Sequence, residues 1–77
     1  MRTKELIDRC YKIENDLLKS VFTKHGVSEL HTIIFYIKHC GCFYYHGLKI
    51  DINFLTNLSE KDKILLFDIY ECYIPKN

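Results

Sequence analysis

Residues 39–46 bring together His39, Cys40, Cys42 and His46, with His31 upstream and Cys72 near the other end of the chain. Two imidazoles and two thiols are the donor types that zinc selects. Structural zinc sites, however, usually hold their cysteines with two to four residues between them, so that both sulfurs reach one tetrahedral ion. Cys40-Gly41-Cys42 is tighter than that. His31 and His39 are eight positions apart, about 12 Å along a straight helix, too far to share an ion. The expectation is therefore no bound metal and no cofactor, with cysteines packed as small hydrophobes. Cys42 and His46 also have the types of a nucleophile and its base, but no orienting residue or oxyanion donor accompanies them. The three glycines read as helix caps and a turn, not as a phosphate loop. No enzymatic activity is expected. Four cysteines allow three fully paired arrangements, yet the chain is not loop-rich and shows no secretory signal, so reduced thiols are expected.

The second chemical resource is aromatic surface. Phe43, Tyr44 and Tyr45 are consecutive, and three neighbouring rings cannot all face one core. Tyrosine joins a large contact area to a hydroxyl that tolerates water, which is why it recurs where proteins touch. Phe43, Tyr44, Tyr45 and Tyr73 are accordingly the candidate partner-binding residues. Tyr36 and Tyr70, placed on helices, are expected to cap the core instead.

These residues must be positioned by one small domain spanning 1–77. The apolar share is 48%, and eleven Lys and Arg against ten Asp and Glu leave a net charge of +1. That balance lacks the cationic excess of a phosphate binder. The longest apolar run, residues 33–37, falls far short of the roughly 20 residues a bilayer requires. A soluble, cytoplasmic chain without membrane contact is expected, in the host cytoplasm if its origin is viral. Ile, Lys, Phe, Tyr and Asn supply 34 of the 77 residues while Ala and Trp are absent, a bias that points to an A/T-rich genome and to a virus or phage.

The apolar pattern predicts a mainly α fold, a three- to four-helix domain. Over 3–25, Leu6, Cys10, Ile13, Leu17 and Val21 recur at helical spacing behind Thr3 as N-cap, with Gly26 as the stop. Ser28 is placed to cap a second helix over 29–40, ended by Gly41; its apolar surface extends round the cylinder, as suits a central helix. Over 42–52 two outcomes stay open: a short β-hairpin with His46-Gly47 as its turn, or an irregular connection. The marginal stability of a two-stranded ribbon favours the second. Asp51 is expected to cap a short helix over 52–57. Ser59 with Asp62 reads as a capping-box variant opening a last helix over 60–73, with Leu65, Leu66, Ile69, Tyr70 and Tyr73 inward and Asp68 outward.

That last pair of helices has the outline of a helix-turn-helix, with Lys61 and Lys63 toward DNA, but Glu60, Asp62, Asp68 and Glu71 offset them. The stretch Leu58-Ser59-Glu60-Lys61-Asp62-Lys63 through Leu66 and Asp68 also resembles the C-terminal helical region of the anti-sigma protein of T4-like phages. Its pattern, a Leu-Ser helix start followed by charges, recurs in unrelated helices and transfers no functional residue. The expectation is a non-enzymatic protein that binds a host protein partner as a regulator or inhibitor, itself a candidate homodimer. The alternative is a small DNA-binding transcriptional regulator, although nucleic acid is not the favoured partner.

Overall fold

The computed structural model describes residues 3–72. In chain order these form α1 (Thr3–Cys10), α2 (Asp16–His25), α3 (Val27–Cys40), β1 (Cys42–Tyr45), β2 (Leu48–Asp51), α4 (Ile52–Thr56) and α5 (Glu60–Cys72). The fold is mainly α, as the periodicity predicts. It has five helical segments where three or four were expected, because the N-terminal helix is divided.

The division falls at residues 11–15. Lys12 N donates to Arg9 O and Ile13 N to Cys10 O, so α1 closes in tight i→i+3 bonds. Asn15 then caps α2, its Oδ1 accepting from Leu18 N at 3.0 Å. Two backbone N–H groups left over in the break, those of Glu14 and Asn15, donate to the Asp62 carboxylate at 2.8–3.2 Å. The break shifts the apolar phase: Leu18, not Leu17, is fully buried beside Val21 and Phe22, and Leu17 packs half-buried at the margin.

Gly26 alone separates α2 from α3, with φ 86° and ψ −177°, a conformation open essentially only to glycine. It ends one helix and opens the next, so α3 starts at Val27, ahead of the expected Ser28 cap. Helix α3 packs against α2, α5 and the hairpin, which makes it the central element its two-sided apolar surface implies. Leu30, Ile33, Ile34 and Ile37 supply its core face. They meet Leu6 and Cys10 of α1, Ile50 of β2, and Leu65, Leu66 and Ile69 of α5 in one apolar cluster.

Of the two outcomes for 42–52, the hairpin forms. His46 and Gly47 both take positive φ, 49° and 81°, as a two-residue turn with the twist of the flanking strands requires. The ribbon is antiparallel, with Phe43 opposite Ile50 and Tyr44 opposite Lys49, and α3 backs it. Asp51 caps α4 as expected, accepting from Asn53 N and Phe54 N. Ser59 Oγ accepts from Asp62 N, so half of the capping box is present at the start of α5. The other half is replaced, since the Asp62 carboxylate serves the α1–α2 break. Asp68 is not a solvated outward charge: it accepts from Arg9 of α1 at 2.6 Å with both side chains half-buried.

Candidate protein-binding surfaces

The residues that could do chemistry do not converge. Cys40 lies exposed at the end of α3 and Cys42 half-buried at the start of β1, while His46 occupies the turn at the far end of that strand. Four steps along the strand separate Cys42 from His46 by about 13 Å, too far for a nucleophile and its base. His39 is engaged elsewhere, its Nε2 3.1 Å from the Tyr70 hydroxyl. Among the described residues no three His, Cys, Asp or Glu side chains are arranged to hold a metal ion. Cys10 is fully buried, and burial pushes its thiol up to about 11. Burial likewise pulls His31 below its ordinary 6.5, favouring the neutral imidazole.

The pleat of β1 divides the aromatic run. Phe43 and Tyr45 share the inward face with Ile50, and both pack half-buried against the core. Tyr45 sits edge-on to His25 at 6.0 Å and to His46 at 4.4 Å, with its hydroxyl buried and without a hydrogen-bond partner. Tyr44 faces the other way, 63% exposed beside Lys49. Of the candidate rings among the described residues, then, Tyr44 alone is mostly in solvent, and Tyr73 lies outside the described residues.

Helix α3 assembles an aromatic surface that extends beyond the candidate rings of β1. Phe43 packs against Tyr36 at 5.6 Å, Tyr36 against Phe35 at 6.0 Å, and Phe35 against His39 at 4.4 Å. Tyr70 of α5 continues the strip, hydrogen-bonded to His39 and stacked on His31 at 5.8 Å. Phe35 is 40% and Tyr36 43% exposed. The expectation that Tyr36 caps the core is thus corrected: the core face of α3 is already filled by isoleucines, so the ring lies over the edge of the hairpin instead. The usable signal was the i,i+4 row His31, Phe35, His39, one stripe of rings on a single helix.

On the other side of Tyr70 an apolar groove of about 240 Å³ opens between α3, α4 and α5. Ile34, Leu55, Leu58, Leu66 and Phe67 form most of its wall, with Lys38 and Lys63 contributing its charges. Lys38 Nζ rests 4.8 Å above the Tyr70 ring, a cation–π contact that holds the ammonium near the groove. Phe67 and its neighbour Ile64 are 56% and 53% exposed.

The start of α5 is poorly suited to phosphate. Glu60 and Asp62 occupy its first turn and offset the positive end of the helix dipole. Lys63 is drawn toward Glu60, at 3.8 Å. Among the described residues no helix is long and apolar enough to cross a membrane. No family model matches this chain, and no curated protein or solved structure matches it either.

Proposed function

We propose that this domain is a non-enzymatic regulator or inhibitor that acts by binding another protein, with the ring strip of α3 as its contact surface. The observation that carries the reading is the unbroken row Phe43, Tyr36, Phe35, His39 and Tyr70, in which Phe35 and Tyr36 remain substantially in solvent. Large, rigid rings bury much area on contact at little entropic cost, and they are the residues that dominate binding energy at interfaces. Backed by a filled core, they are pre-positioned, which reduces the ordering cost of association. The composition, poor in Arg and Ala and rich in Ile and Lys, supports a viral or phage origin and a host protein as the target.

The test is capture of a protein from host lysate by the immobilised chain, compared with capture by Tyr36→Ala and Phe35→Ala. Each substitution is expected to weaken the specific partner by about 10-fold or more, as for an interface anchor, with the helical spectrum unchanged. A parallel titration with random duplex DNA is expected to show little binding. Steeply salt-dependent DNA binding, indifferent to both ring substitutions, would replace this reading with the DNA-binding one.

A further inference from the structure

The groove between α3, α4 and α5 combines apolar walls with charges of one sign. Lys38 stands on the α3 wall. Lys63 stands on the α5 wall with Leu66, Phe67 and Tyr70, which the 3.6-residue repeat gathers on one side of that helix. Among the described residues no carboxylate lines the groove. Two carboxylates of α5 are engaged elsewhere, Asp62 with the N–H groups of Glu14 and Asn15 and Asp68 with Arg9. Glu60 comes within 3.8 Å of Lys63, but its side chain is 81% exposed, and such a pair is worth little in water. Lys38 is held beside the groove by the face of the Tyr70 ring, which places the ammonium without consuming its hydrogen-bond donors on oxygen.

The groove is smaller than the roughly 300 Å³ of a typical organic-ligand site, but at about 240 Å³ it exceeds the roughly 150 Å³ that accommodates a benzene ring. It is sized for one large side chain. All its lining residues except Leu58 lie in helices, and Leu58 N donates to Leu55 O. The Thr56 hydroxyl donates to Asn53 O, and the Tyr70 hydroxyl is bonded to His39. The wall therefore presents no row of free backbone groups to an extended peptide, and an occupant must pair its own backbone, as a helix does.

We infer that the groove receives an acidic amphipathic helix of the partner protein: one large apolar side chain enters between α3 and α5, and carboxylates beside it meet Lys38 and Lys63. This occupant presupposes that the domain binds a protein, and it specifies the chemistry of the bound segment. Tyr70 makes the two surfaces continuous, since its ring lines the groove and also belongs to the strip through His39, Phe35 and Tyr36. The apolar side chain supplies the affinity, and the two lysines select the sign of its neighbours.

A synthetic helix of about 20 residues, long enough to be helical alone, tests this when it carries one Phe with Glu three and four positions to either side. It is titrated into the isotopically labelled full chain and read by amide chemical shifts, beside a second peptide with Lys in place of each Glu. The acidic peptide is expected to shift Leu55, Leu66 and Phe67 saturably, and the basic one to bind about 10-fold or more weakly. Lys38→Glu combined with Lys63→Glu should reverse that preference with the helical spectrum retained, while Phe35→Ala on the strip should leave it unchanged. Equal affinity for both peptides, no binding of either, or a preference that survives the double substitution would each overturn the proposal. Shifts confined to Phe35 and Tyr36 would overturn it too, and would leave the strip standing as the contact surface.

Discussion

Asp62 and Phe67 lie five residues apart on α5, and each occupies the place that chemistry would ordinarily give to the other. The carboxylate is 1% exposed, while the phenyl ring is 56% exposed. The inward edge of the helix spends its polar group on Glu14 and Asn15, whose N–H groups would otherwise be orphaned by the break between α1 and α2. The outward edge leaves apolar surface in water beside a groove. The contrast teaches that on a domain this small residue polarity does not assign role: a charge can hold the fold together, and a ring can be surplus to folding and free for association.

The comparison breaks most visibly at Asp62. Asp62→Ala leaves two part-buried backbone donors without their acceptor and is expected to destabilise the chain by about 2–4 kcal/mol, read by urea unfolding. A loss under about 1 kcal/mol would mean that the break supports itself through the Asn15 cap.

Next in size is the alkaline limb of stability. The Cys10 thiol is pushed from 9.0 up to about 11 by burial. A folded-state value above the unfolded one means that the contribution is fully present below pH 9 and is lost as pH rises toward 11, by roughly 2–3 kcal/mol. Unfolding followed across that range, with Cys10→Ala as the comparison, checks it: the variant should lose this component of the alkaline decline.

The smallest effect sharpens the contrast on the hairpin. The Tyr45 hydroxyl is buried without a partner, so Tyr45→Phe removes a desolvated polar group and is expected to leave stability within about 0.5 kcal/mol or raise it slightly. A clear loss in thermal unfolding would show that the hydroxyl is hydrogen-bonded in solution.

How much of this was legible in the sequence depends on the range of the interaction. Local signals read correctly: Asp51 as the cap of α4, Gly41 at the end of α3, the 3.6-residue repeats of α3 and α5, and His46-Gly47 as a possible turn. The hairpin itself was the less favoured outcome because its stability comes from the backing of α3, a tertiary contribution. The division of the N-terminal helix was hidden because apolar residues keep helical spacing across it. Asn15-Asp16, a cap followed by an acidic first turn, was the local sign of a new helix start. Its other determinant, Asp62, acts across 47 and 48 positions and looks like an ordinary capping-box residue until the fold is seen. The ring strip was half legible, since His31, Phe35 and His39 form an i,i+4 row, but its continuation through Tyr70 and Phe43 depends on how α5 and β1 pack on α3. The groove was signalled only by Ile64 and Phe67 falling outside the buried stripe of α5.

The central proposal, that exposed apolar surface on this domain serves contact and not folding, is tested most directly by the unfolding free energy of Phe67→Ala in urea. The account predicts a value within about 1 kcal/mol of the unsubstituted chain, because the ring is mostly in solvent. A loss of about 3 kcal/mol or more, as for a ring removed from a core, would contradict it.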